Sequence, residues 1–230
     1  MKILCIGDSN TYGYDPRSYL GDRYPADVRW TDRLDNCEVI NCGVNGMTIP
    51  RENSRYPGLV RINDPDLVIV MLGTNDLFKS ITAEQIADQM GRFLDSILSA
   101  AKQILLISPP VLEYGEWVMD DDLVEESQDL GRAYRELAER KGCLFADSAE
   151  WSIEMTYDGV HFSPEGHAVF AQKLGELLEI LPLDINNTIF SLIFHLCSTY
   201  EQKAYCDGLQ NGARLMQELF IREAENDSWK

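Results

Sequence analysis

A chain of 230 residues, 45% of them hydrophobic, carries enough apolar surface for one full core. Its formal net charge of −18 sets it against phosphate backbones and anionic lipid, which excludes nucleic acid and acidic membrane surfaces as expected partners. No apolar run reaches the roughly 18 residues that a bilayer span needs, so no membrane-spanning helix is expected.

The first residues read as a strand rather than as a basic, apolar and small-residue export signal. Cys5, Cys37, Cys42, Cys143, Cys197 and Cys206 form no CxxC pair. Reduced thiols and a cytoplasmic location are therefore the expectation, with neither a disulfide framework nor a zinc site. In chain order, strands are predicted at Lys2–Ile6, Cys37–Asn41, Leu67–Leu72, Gln103–Ser108 and Cys143–Asp147. "DLVIVMLG" and "QILLISPP" are continuously apolar, as strands covered on both faces must be. Between them, Ile86, Met90, Phe93, Leu94 and Ile97 recur at helical spacing behind Thr82, a cap with Gln85 three residues on. A second helix is predicted from about Asp121 to Arg140, on Leu123, Leu130, Tyr134 and Leu137. The last of this series follows "FSPEGH", with Ser163 as cap, Pro164 in the first helical position and Phe170, Leu174, Leu177 and Leu178 as its apolar stripe.

Strand and helix in alternation argue for an α/β fold: a three-layer sandwich around a five-stranded parallel sheet in flavodoxin-like order. This domain is expected over residues 1–183. Residues 184–230 read as a C-terminal α-helical hairpin, one stripe on Ile185, Ile189, Leu192, Ile193 and Leu196, the other on Tyr205, Leu209, Ala213, Met216 and Phe220. So small a segment is expected to pack on the main domain or on a second copy, which would make a homo-oligomer.

Four polar clusters interrupt the ends of the strands: "GDSN" with Ser9, "NCGVNG" with Gly43, "GTND" with Asn75, and "DGVH" with Asp158 and His161. In an open parallel sheet, functional groups gather beyond the carboxyl ends of the strands, where these clusters fall. Together they resemble the four blocks of the SGNH (GDSL-type) hydrolases, over roughly Lys2 to Ile180. "KILCIGDSNTYG", "VRWTDRL", "VINCGVNGMT", "DLVIVMLGTNDL", "ILLISPPVL" and "DGVHFSPEGH" follow the order of the arylesterase and acyltransferase branch of that family. Asn10 stands where the family's name-giving motif has Leu.

The residues themselves suit that chemistry. A serine hydroxyl needs an adjacent base to take its proton, and the chain has only His161, His167 and His195. His161 lies three residues after Asp158, a separation that lets the carboxylate hold one ring nitrogen while the other faces Ser9. His167, inside a helix, and His195, in the apolar tail, read as structural. The resemblance implies Ser9, Asp158 and His161 as catalytic residues, and the backbone N–H groups of Ser9 and Gly43 with the side-chain amide of Asn75 as the oxyanion hole. Asp8 and Asp76 read as turn holders. A nucleophile elbow, P-loop, dinucleotide fingerprint and HExxH are all missing, so no cofactor and no metal are expected.

Among residues flanking the motifs, Trp30, Met47, Phe78 and Val160 are the candidates for lining a substrate pocket. No long apolar insertion cradles a fatty chain, so the expected activity is hydrolysis of short-chain esters, acetyl esters foremost, through an acyl-enzyme. A carbohydrate O-acetylesterase, an acyltransferase and a thioesterase are alternatives on the same fold. A non-catalytic acyl- or glycan-binding protein is the alternative from another class.

Overall fold

The computed structural model of the protein describes residues 1–18 and 20–181. The expected helical hairpin at 184–230, with its packing and oligomerisation roles, lies outside the described residues.

Five parallel strands form one sheet: β1 (Lys2–Gly7), β2 (Glu38–Asn41), β3 (Leu67–Met71), β4 (Ile104–Ser108) and β5 (Leu144–Asp147), in the order β2-β1-β3-β4-β5. That is the expected flavodoxin-like order, and the strand ends agree with the apolar runs to within a residue. The sheet's two faces are read directly off β1, β3 and β4. Leu4, Ile6, Val68, Val70, Ile104 and Leu106 belong to one core, while Ile3, Cys5, Leu67, Ile69, Leu105 and Ile107 belong to the other. Because side chains alternate along a strand and both faces are covered, every position must be apolar, which explains the unbroken runs.

The first core is closed by α2 (Tyr56–Asn63), α4 (Ala83–Leu98) and α5 (Asp121–Lys141), the second by α6 (Pro164–Ile180) and a 3-10 turn at Trp30–Asp32. The helix ends follow their caps. Thr82 and Gln85 form the expected capping box on α4, and the Ser163 hydroxyl accepts from the Gly166 N–H at the start of α6. Asp120 caps α5, whose last turn carries Arg140 and Lys141 against the helix dipole before Gly142 closes it in the left-handed region. Helix α2 has no counterpart among the predicted elements. It is eight residues long, has Pro57 in its first turn as the one start signal, and lacks both a side-chain cap bond and a long apolar stripe.

Two single-turn helices, α1 (Ser9–Tyr12) and α3 (Thr74–Leu77), follow directly on β1 and β3. These strands are neighbours, and the chain leaves β1 toward β2 on one side before returning to β3 on the other. Their carboxyl ends therefore open onto the crevice where sheet order reverses. Among the described residues no helix is long and apolar enough to cross a membrane.

Candidate active site

The turn after β1 is built to present a serine. Asp8 caps α1, its carboxylate accepting the Asn10 N–H at 3.0 Å, and Ser9 occupies the first helical position. The Asp8 side chain is buried. Burial pushes its carboxyl up to about 6, against the Asn10 N–H, His161 and Thr74, which favour the anion. Asp76, on α3, accepts the Ile49 N–H at 3.1 Å and so fixes the neighbouring loop. Both aspartates hold backbone.

Ser9 meets the distant "DGVH" loop. Its Oγ lies 3.0 Å from His161 Nε2, and His161 Nδ1 lies 2.7 Å from Asp158 Oδ2. A ring nitrogen facing a carboxylate carries the proton, which leaves Nε2 as the acceptor for the serine hydroxyl. The other carboxylate oxygen of Asp158 accepts from the Thr156 hydroxyl at 2.9 Å and from the N–H groups of Val160 and His161 at 2.9 and 3.0 Å. Burial alone would raise this carboxyl, but the bonds from His161 and Val160 outweigh it and bring it down to about 2.

Asn10 joins these two distant segments. Its Nδ2 donates to the Val160 carbonyl at 3.0 Å, and its Oδ1 accepts the Phe162 N–H at 3.0 Å, so one amide grips the backbone on either side of His161. A leucine could make neither bond. Trp30, expected in the pocket, is instead wholly buried behind this turn. Its Nε1–H donates to the Asn10 carbonyl at 2.9 Å and its ring packs on Phe170 at 4.8 Å. Its size places it in the core between α1 and α6, a correction to the expected lining role.

On the opposite side, Asn75 donates one amide hydrogen to the Met47 carbonyl at 3.1 Å, which leaves the second for a ligand. Met47 also departs from expectation. Its sulfur accepts from the Tyr56 hydroxyl and its side chain packs against the first core, outside the cleft. Gly43 donates its N–H to Asn41 Oδ1 at 2.9 Å. A Cβ at Gly43 would strike the backbone of Thr11 and Tyr12, so glycine is required there for the approach of α1.

Ser9, Asn75 and His161 open into a cleft of about 410 Å3. Phe78 and Val160 line it, joined by Tyr14, Asn45, Gly46 and Trp117, which no sequence motif singles out. Trp117 sits on the segment between β4 and α5, where neither periodicity nor motif marks it. The acidic start of α5 is outside this lining.

The segment bearing Trp117 is laced to the loop that carries Asp158 and His161. The N–H groups of Glu113, Glu116 and Trp117 donate to the carbonyls of Gly159, Tyr157 and Asp158 at 3.0, 3.0 and 3.2 Å. A Cβ at Gly115 would collide with the Asp158 backbone, and one at Gly159, with φ of 79°, with the Glu113 carbonyl. His167, in α6, is buried as well. The Trp30 N–H donates to its Nδ1 at 3.4 Å, and burial, with Arg33 and Arg29 nearby, pushes the ring down to about 3. His195 is outside the described residues. Among the described residues no cluster of three or more His, Cys, Asp or Glu could hold a metal ion.

The chain matches the GDSL-like lipase/acylhydrolase family over residues 5–169. It is 25% identical to an acetylxylan esterase of Geobacillus stearothermophilus, over 74% of this chain and 90% of that protein. It is 24% identical to an arylesterase of Vibrio mimicus, over 77% and 88%. Among solved structures, the inhibitor-bound aryl esterase of M. smegmatis superposes with a TM-score of 0.70 at 27% identity, covering 77% of this chain and 98% of that one. A carbohydrate acetylesterase from Sinorhizobium meliloti gives 0.68 at 26%, with the same coverage.

Proposed function

The chain belongs to the GDSL-like lipase/acylhydrolase family, and from that premise we propose that it is a cofactor-free serine esterase acting on short-chain esters, acetyl esters foremost. The observation that carries this reading is the continuous chain from Ser9 Oγ through His161 to Asp158, at 3.0 and 2.7 Å, at the floor of an open cleft.

In the reaction, His161 Nε2 takes the hydroxyl proton as Ser9 Oγ bonds to the ester carbonyl carbon. The carbonyl π-electrons move to oxygen, and the resulting oxyanion is held by the Ser9 N–H and by Asn75 Nδ2. Gly43 joins them only if its N–H is shared between Asn41 Oδ1 and the oxyanion. As the oxyanion re-forms the carbonyl, the bond to the alcohol oxygen breaks, and His161 returns the proton to that oxygen. Water then attacks the acyl-Ser9 with His161 as base, releasing the acid and restoring the hydroxyl. An alcohol in place of water would give acyl transfer. Throughout, Asp158 keeps the ring in one tautomer and stabilises the imidazolium. A cleft of about 410 Å3 favours small acyl groups.

Hydrolysis of p-nitrophenyl acetate by the wild type, with loss of at least a thousandfold in kcat in Ser9→Ala, is the expected result. Equal turnover by the two proteins would refute the assignment. The likeness to an acetylxylan esterase and a carbohydrate acetylesterase favours carbohydrate O-deacetylation as the second reading. A panel of acetylated sugars, aryl acetates and acyl thioesters ranks the two. Cys5, Cys37, Cys42 and Cys143 are free thiols, which fits a cytoplasmic setting.

A further inference from the structure

Because His161 Nε2 must hand a proton to the leaving alcohol, that alcohol's oxygen comes within hydrogen-bond reach of this nitrogen, and the rest of the alcohol extends into whatever surrounds the imidazole. Two aromatic rings surround it. Tyr14 packs with its centroid 4.8 Å from that of His161, tilted by 58°, and Trp117 packs edge-on at 5.2 Å and 83°. Both line the cleft together with Ser9. With the leaving oxygen at His161 and the carbonyl oxygen at Asn75, the acyl group takes the remaining direction, away from the two rings, and Phe78, one turn beyond Asn75, lines that side of the cleft.

Trp117 is 51% exposed despite its contacts, so the indole presents free surface to a ligand. It is also held in place. Its N–H is bonded to the Asp158 carbonyl, Gly115 and Val118 exchange backbone bonds of 3.0 and 3.3 Å across it, and the Val118 side chain is buried in the first core. A large, exposed ring on a pinned backbone beside the base offers stacking area at a small cost in conformational entropy.

We propose that Trp117 is the specificity-determining residue for the alcohol half of the ester, with Tyr14 as the second wall. It selects alcohols that present a ring face, the π-face of an aromatic or the C–H face of an alicyclic or pyranose ring, over small acyclic ones. Neither wall carries a charge, and among the described residues the cleft lining contains no Lys, Arg, Asp or Glu, so the favoured alcohols are neutral. This inference rests on the esterase reading above, since it takes His161 as the proton donor to the leaving group.

The test is the ratio of kcat/KM for cyclohexyl acetate to that for ethyl acetate, two alkyl esters with the same acyl group. The ratio is expected to fall about tenfold in Trp117→Ala and to recover largely in Trp117→Phe. The preference for acetate over butyrate among ethyl esters is expected to stay as in the wild type. As a second measurement, acyl transfer from p-nitrophenyl acetate to cyclohexanol rather than methanol should lose the same factor. An unchanged ratio, even with both rates lowered, would overturn the proposal and make Trp117 a support for His161. A shift in the acetate-to-butyrate preference would overturn it too, by moving Trp117 to the acyl side. The underlying esterase reading fails separately, through ethyl acetate turnover that is absent or survives in Ser9→Ala, and the proposal then falls with it.

Discussion

The loop that carries His161 and the helix that carries His167 each bury an imidazole, six positions apart in the chain, yet they make opposite groups of it. His161 is 4% exposed and faces a carboxylate on one nitrogen and a serine hydroxyl on the other. His167 is wholly buried, among Tyr24 and Phe162, with a backbone N–H as its partner and two arginines as its nearest charges. Burial by itself suppresses the charged form of a histidine and removes it from proton chemistry near neutral pH. What sets the two apart is the partner: Asp158 faces His161, whereas His167 has only a backbone N–H.

Removing that counter-charge is the most direct way to break the contrast. Asp158→Asn keeps the shape of the loop but takes away the charge that stabilises the imidazolium and selects its tautomer. Its kcat for p-nitrophenyl acetate is expected to drop by about ten-thousandfold, with KM changed little. A loss below tenfold would mean that His161 works without the carboxylate.

A smaller effect is expected from Asn10→Ala, which spares every reacting atom and releases the backbone grip at Val160 and Phe162. A misplacement of His161 relative to Ser9 should lower kcat by about a hundredfold. The conservative Asn10→Gln should recover part of it, and Asn10→Leu none. Equal activity in the alanine variant would reduce Asn10 to a packing residue.

The smallest effect is on stability and falls on the helix. With its folded value near 3 and an ordinary unfolded value near 6.5, His167 binds a proton only in the unfolded chain across that interval. Stability from this group is complete above about pH 6.5 and is lost as pH falls toward 3. Asp8, raised to about 6, works the other way: the folded chain holds its proton between about pH 4 and 6, so its contribution falls as pH rises through that interval. His167→Leu is therefore expected to lower stability at pH 7.5, through the unpaired Trp30 N–H, while cutting the loss between pH 7.5 and 5 by about 2 kcal/mol. Urea melts at the two pH values check both signs.

Features set by local chemistry were the ones legible from the sequence. The buried strands declared themselves through unbroken apolar runs, the capped helices through Thr82, Gln85 and Ser163, and the histidine loop through the spacing of Asp158 and His161. Features set by contacts between distant segments were not legible. Trp30 reads equally well as a pocket wall or a core residue until α6 brings Phe170 against it. The need for glycine at 43 comes from the backbone of α1, a contact that no motif announces. Asn10 departs from the family motif, and its reason is written some 150 positions away. Trp117 is held at the cleft by carbonyls that its segment borrows from the loop of Asp158 and His161.

That borrowing bears on how the enzyme could be re-engineered. Gly115 and Gly159 touch backbone to backbone, so the strip that orients the acid and the strip that offers Trp117 behave as one welded part. Side chains at 117 can be exchanged to retune which alcohols enter, and the chemistry should tolerate it. Substitutions at 115 or 159 would pry the weld apart, and they should cost selectivity and turnover together. A laboratory library aimed at a wider range of alcohols is therefore best kept to the first of these and away from the other two.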